Sequence, residues 1–467
     1  MNSGKSQTSN NHEARATRSS TPNQIFPADV VRVGNMQIPQ KCASSPIWFA
    51  ARAILLLALW LQTAAAQQSP PSVRIDLDQA VQMAVAHNHS LKAARTQIQQ
   101  SEAEEITAGL RPNPVFTYDD LYVPIFTPGQ FTSNFIDSTT EFDLGLSYTI
   151  ERGHKRQARL RAAKDQTAVT RSQVSDTERG LTFNVAQQFV GILLAKSTLQ
   201  FANQDLASYQ QTVNLSSEQY RAGAISEGDL LKIKLQLLQF QMDVSQAQLS
   251  MVQAYASLRA LEGYDALPAG YDVVGDLAYE PLKLNQEDLQ LKALQLRPDY
   301  VAAQQGVTAS ESQYSLAKAN GKRDLTAIFD YTHVSSSNDA GLTLSIEIPI
   351  FDRNQGEIAR TNYAIGQAQE TKTAAQETVM TDVANAYEAF KTGDQVVQLY
   401  LSGYLKQAQD SRDISEYAYK RGAASLLDFL DAERSYRSTQ LAYRQALATY
   451  MLAIEQLREV VGTRKLQ

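Results

Sequence analysis

The chain has 467 residues, of which 43% are hydrophobic, with one Cys, two Trp and a formal net charge of −6. That charge is mild and dispersed, with no Lys/Arg block and no basic face interleaved with aromatics, which excludes nucleic acid as a partner. No G-x-S-x-G, Walker lysine or H-E-x-x-H occurs, so the chain reads as a non-enzyme without a cofactor, and its long Pro-poor, Ala/Gln/Leu-rich runs favour elongated helices.

In chain order, residues 1–66 read as an N-terminal extension and secretory signal. Arg52 precedes the apolar run Ala53–Leu61, and Ala64–Ala66 supply the small residues of a cleavage site. The run is too short to span a bilayer as a helix. A signal of ordinary length would start at Met36 rather than Met1. Cys42 would leave with the signal, so the mature chain has no thiol for disulfides or thiolate metal sites. Gln67 rather than Cys would follow the cut, which predicts a non-lipidated protein.

From Leu77 to about Leu110 apolar residues recur at three and four positions, the period of a helix, which Pro112 and Pro114 end. A hairpin over 113–150 follows. In its second arm Phe142, Leu144, Leu146, Tyr148 and Ile150 alternate with Asp143, Gly145, Ser147 and Thr149, a strand with one apolar and one polar face. A helix from about Arg156 to Tyr220 has no Pro and a strict heptad at Val185, Ile192, Leu199, Leu206, Val213 and Tyr220. At 1.5 Å per residue it is roughly 100 Å long. After a turn at 220–228, Leu230, Leu237, Val244, Met251 and Leu258 form one coiled-coil seam, and Ile233, Phe240, Ala247, Ala254 and Leu261 a second.

The same events recur about 200 residues on, so the mature chain divides into repeats 67–280 and 281–467. The second repeat has a helix from about Gln286 to Asn320, a hairpin over 326–350, a long helix, a turn at 419–427 and a final helix with Phe429, Tyr436, Tyr443, Tyr450 and Leu457 on one line. The two turns coincide without a gap at Tyr220/Tyr419, Gly223/Gly422, Ala224/Ala423, Ser226/Ser425, Asp229/Asp428 and Leu231/Leu430. In each, Gly can close one helix in a left-handed conformation and Ser can cap the next. In length, the helices before each hairpin and after each turn together match the long uninterrupted one. Each repeat therefore predicts a rod with a hairpin at one end and a Gly turn at the other. Four amphipathic strands leave edges that lipid cannot satisfy, so several chains must share one closed barrel, and its polar face makes it a pore.

The duplicated order of elements and the two Tyr-x-x-Gly-Ala-x-Ser-x-x-Asp turns, at 220–229 and 419–428, resemble the TolC-like outer membrane factors of tripartite efflux and type I secretion systems. The resemblance covers the whole mature chain. It implies a mainly α protein with a membrane β-barrel, a homotrimer whose twelve strands continue into a periplasmic α-helical barrel. It also implies a periplasmic membrane-fusion adaptor, an inner-membrane resistance-nodulation-division pump and outer membrane lipid as partners. Glu151–Arg159 and Ile348–Arg360 are similar to the heavy-metal, CzcC-like branch, which implies divalent cations as cargo. Drugs, siderophores or secreted proteins through the same duct, and a periplasmic coiled-coil spacer, are the competing readings.

By the same resemblance, Ala222, Gly223, Ala224, Arg421, Gly422 and Ala423 form the adaptor-docking tip, against the plainer reading that they only cap helices. Asp428 and Asp431, three apart on one helix face, would form an acidic ring at the aperture, or merely complement the helix dipole. Asp229 and Tyr419 match a closed-state lock, while a second lock is lost because Ala424 and Gly228 stand where the family has Arg and Thr. His87 and His89 read as a solvated helix segment and not as metal ligands, since no third ligand is spaced for them.

Overall fold

The structure is a computed structural model that describes residues 73–138 and 140–466. The expected signal, its cleavage point and Cys42 lie outside the described residues. The elements are β1 (Arg74–Ile75), α1 (Leu77–His87), α2 (His89–Gly109), β2 (Val115–Leu121), β3 (Glu141–Ile150), α3 (Lys155–Arg221), α4 (Glu227–Glu262), β4 (Asp272–Val273), α5 (Gln286–Leu296), α6 (Pro298–Asn320), β5 (Leu325–Val334), β6 (Ser337–Ile346), α7 (Gln355–Leu399), α8 (Leu405–Lys420) and α9 (Leu426–Val461).

Side-chain chemistry sets the helix ends. Asp76 and Gln79 cap α1 reciprocally, each side chain accepting from the other's backbone N–H at 2.8 and 3.0 Å. The helix expected over 77–110 is not continuous. Asn88 breaks it, its Oδ1 accepting from Leu91 N at 3.0 Å and its Nδ2 donating to Leu261 O at 2.8 Å. The helix expected over 286–320 is broken at the equivalent place, because Pro298 has no N–H and keeps Arg297 out of the helical region.

Helix α3 is unbroken for 67 residues, and helices of 11, 21 and 36 residues, α1, α2 and α4, lie along it. The second long helix departs from the expected unbroken run. It is interrupted after 45 residues by a π turn at Tyr400–Tyr404, where Gly403 takes φ 137°, and resumes as the 16-residue α8. A side chain there would be strained, so Gly403 marks a built-in bend.

Three cores hold the helices. One packs Val379, Val383 and Phe390 of α7 on Tyr450 and Leu457 of α9. The second packs Val185, Phe189 and Ile192 of α3 on Leu258, Tyr271 and Val273, and the third, near the Gly turns, joins Tyr209, Phe240, Tyr419 and Phe429. Tyr450, fully buried, also donates to Glu280 O at 2.7 Å. Burial of such side chains stabilises by about 1.5–3 kcal/mol each. The short strands β1 and β4 were not expected from sequence. β1 pairs in parallel with β4, with Asp272 N donating to Val73 O and Val274 N to Ile75 O, both at 2.8 Å.

The two hairpins join into one antiparallel sheet in the order β2-β3-β5-β6, leaving β2 and β6 as free edges. Register places Phe116, Leu146, Phe329 and Leu342 in one row and Thr117, Gly145, Asp330 and Gly341 in the next. All four residues of the apolar row are more than half exposed. The opposite face carries Asp119, Glu141, Asp143, Asp330 and Asp339, and no Lys or Arg. Among the described residues no helix is long and apolar enough to cross a membrane.

Candidate functional site: the helical tips

Both Gly turns close by the same chemistry. Gly223 and Gly422 adopt φ of 73° and 72°, and a side chain at either would have nothing within 4 Å to strike, so backbone conformation alone demands glycine. Ala224 N donates to Gln219 O and Ala423 N to Ala418 O, both at 2.8 Å, the six-to-one bond of a Schellman ending. The next helix starts at a serine cap. Ser226 Oγ accepts from Asp229 N at 3.1 Å, and Ser425 Oγ from Asp428 N at 3.2 Å.

Ala222, Gly223, Ala224, Arg421, Gly422 and Ala423 are all exposed. Arg421 lies over the Tyr417 ring at 5.3 Å. Leu427, just past the second turn, is 75% exposed, an apolar side chain at the tip that sequence periodicity placed in no seam. Asp428 closes a capping box: its Oδ2 accepts from Ser425 Oγ at 2.7 Å and from Ser425 N at 3.2 Å, which holds its carboxyl below the usual carboxylate range. Asp431 is exposed, with Arg434 at 4.0 Å.

Asp229 and Tyr419 are neighbours without a hydrogen bond between them. The Asp229 carboxylate accepts from Ser226 Oγ at 2.8 Å and from Lys232 Nζ at 3.4 Å. Tyr419 is buried, stacked on Phe429 with centroids 5.4 Å apart, and its hydroxyl lies beside Ser216. Burial raises its phenol above the usual range, with the Asp229 charge adding to the shift. His87 and His89 are exposed, and the described residues contain no cluster of three or more His, Cys, Asp or Glu able to hold a metal.

The two turns present a small-residue, Gly-turned surface flanked by carboxylates at the ends of long helices. A model of the family described as outer membrane efflux protein matches residues 80–264 and 289–463. The cobalt-zinc-cadmium resistance protein CzcC of Cupriavidus metallidurans is 22% identical over 83% of this chain and 90% of its own. The pyoverdine export outer membrane protein OpmQ of Pseudomonas putida is 24% identical over 78% of this chain and 81% of its own. A crystal structure of CusC, a protein that forms a transmembrane channel, superposes with a TM-score of 0.69 at 21% identity, covering 83% of this chain and 92% of that one.

Proposed function

Because the chain belongs to the outer membrane efflux protein family, we propose that it is the exit duct of a tripartite system exporting divalent heavy-metal cations, and that it works as a homotrimer. The carrying observation is an unfinished surface. On α4, Leu231, Leu235, Leu238, Met242, Leu249 and Val252 lie at heptad spacing and are 49–68% exposed. A coiled-coil seam facing water is unstable alone and calls for another helix. The free edges of β2 and β6 call for the same remedy in the sheet, where lipid leaves no water to satisfy them. Three copies supply both, giving a twelve-stranded barrel with its apolar rows in lipid, continuous with a periplasmic helical tunnel.

Within that assembly the exposed residues Ala222, Gly223, Ala224, Arg421, Gly422 and Ala423 dock a periplasmic adaptor, since small residues admit close helix approach. Asp428 and Asp431 ring the aperture, and Asp229 with Tyr419 locks it when closed. An inner-membrane resistance-nodulation-division pump supplies the energy. Cation cargo is supported by the similarity to CzcC and by the polar sheet face, which carries five carboxylates and no Lys or Arg. A second reading, export of an organic cargo, is supported by the similarity to OpmQ.

The test compares a deletion strain with its complemented parent. Sensitivity to zinc, cobalt, nickel, cadmium or copper without sensitivity to hydrophobic drugs supports cations. Sensitivity to drugs alone leaves the duct and removes the metal. The Asp428→Asn/Asp431→Asn pair should lower the cation selectivity of the reconstituted channel.

A further inference from the structure

About 12–18 Å along α9 from its serine cap, four helices meet around a partly buried ionic cluster. Arg437 of α9 reaches across to both helices of the other hairpin. Its Nε pairs with Asp205 of α3 at 2.7 Å, its Nη2 pairs with Asp243 of α4, and its guanidinium lies 4.0 Å from the centre of the Phe240 ring of α4. Arg412 of α8 stacks on Tyr436 of α9 at 4.3 Å and pairs with Asp413 at 2.6 Å. Asp205 is 5% exposed and Glu433, also on α9, is 7% exposed. The α8–α9 hairpin is therefore bound to the α3–α4 hairpin through side chains, while its backbone joins the rest of the chain on the α8 side at the Gly403 bend.

We propose that Arg437 is the clasp that holds the α8–α9 hairpin against the α3–α4 hairpin, and that Glu433 is its proton-operated release. The inference rests on the duct reading above. The cluster is asymmetric in charge: two carboxylates, Asp205 and Asp243, answer Arg437, and Glu433 adds a third acid on the same helix as Arg437 and against Asp205. With Glu433 protonated, the acid pair shares a proton and α9 sits on α3. When Glu433 gives its proton to water, two buried carboxylates on different helices repel each other, and the repulsion acts along the direction that separates the hairpins.

The surroundings of Glu433 support its titrating near neutrality. Asp205 and Tyr209 face it from α3, Asp243 lies across Arg437 on α4, Arg412 and Tyr419 approach from α8, and Arg437, Tyr436 and Arg444 share α9. Burial, with the Asp205 carboxylate second, pushes Glu433 up to about 7 against the opposing pull of Arg412 and Arg437. A hairpin swung into water returns the carboxyl towards its ordinary 4.5. The closed form thus binds the proton more tightly, and between these values each unit of falling pH favours closure by up to tenfold. Asp428, held low by Ser425, stays charged through that window and does not confuse the response.

The experiment records single-channel conductance of the full mature protein in planar bilayers from pH 5 to 8. The wild type should open at least tenfold more at pH 8 than at pH 5. Glu433→Gln should stay closed at both, and Arg437→Gln should stay open at both. Arg437→Lys, which keeps the charge but cannot bridge two carboxylates, should lie between and serves if Arg437→Gln does not assemble. A wild type that conducts alike at pH 5 and pH 8, a Glu433→Gln channel with the wild-type response, or an Arg437→Lys channel identical to wild type each overturns the clasp. A second readout needs no conduction: spin labels on Lys234→Cys and Ser435→Cys, in a mature chain otherwise free of Cys, should move apart between pH 5 and pH 8. Movement without conductance keeps the clasp and removes the duct. Conductance with a fixed distance does the reverse.

Discussion

Glu262 ends α4 inside the second core, fully buried, with neither carboxylate oxygen hydrogen-bonded. Burial pushes its carboxyl up to about 8 from 4.5, and its place at a helix C-terminus, the negative end of the dipole, disfavours charge further. The sign follows from the two values. An unfolded chain releases the proton near 4.5 and the folded one near 8, so stability falls as pH rises between them and is level beyond. At 1.36 kcal/mol per unit the loss approaches about 5 kcal/mol. Unfolding entropy of about 2.1 cal/mol/K per residue, taken over roughly 400 residues, turns that into about 5–6 °C in Tm. Circular dichroism melts of the protein at pH 5 and pH 9 measure it. Glu262→Gln, neutral at every pH, should melt close to wild type at pH 5 and about 5 °C higher at pH 9. A variant that shifts Tm equally at both pH values, or lowers it at pH 9, would refute the reasoning, since the carboxyl would then be charged and satisfied in the fold.

Arg297 is 3% exposed in its side chain and pairs with Asp299 at 2.6 Å and Asp382 at 2.8 Å, tying the α5–α6 break to α7. Arg297→Ala strands both carboxylates and should cost about 3 kcal/mol, read as a Tm lower by about 3–4 °C. Gly145 sits where a Cβ would lie 2.3 Å from Thr117 Oγ1. Gly145→Val should therefore disrupt the sheet and lower the Tm in the same melts, and pairing it with Thr117→Ala should restore part of the loss. At Gly422 there is space but φ is 72°, so Gly422→Val should assemble normally and lose only about 1–2 kcal/mol, with Gly422→Asn losing less. Tyr450→Phe keeps the packing and removes one hydrogen bond to Glu280 O, for a loss of about 1 kcal/mol in the same melts.

The long elements were legible because they obey a single period. Val185, Ile192 and Val213 of the α3 heptad are buried, as are Leu230, Ile233 and Phe240 of the α4 seams. The strand alternation of β3 was legible for the same reason: its register with β2 and β5 keeps Leu144 and Leu146 on one face. The breaks were harder to see. Asn88 interrupts a helix through a bond to Leu261, 173 residues away, and Gly403 looks like any helical glycine until its backbone is traced. The β1–β4 pair is too short to show alternation. At the tips, glycine and serine announced the turns, but the ionic cluster behind them did not show. Asp205, Asp243, Glu433 and Arg437 each fall on an ordinary polar helix position, and only tertiary packing brings them together and buries Asp205 and Glu433.

The parallel pair of β1 and β4 stitches residues 74–75 to residues 272–273, and the central pair of the sheet stitches 141–150 to 325–334. Neither contact is available to a chain that folds from its N-terminus until the middle of the sequence has followed. Helices α3 and α4, coded by local heptads and adjacent in sequence, can zip together early, and β2 can pair with β3, whereas the second edge of β3 must wait for β5, nearly 200 residues behind. Folding therefore has an enforced order, and until β5 arrives the open edge of β3 is the place where the sheet is exposed to pairing with the wrong chain.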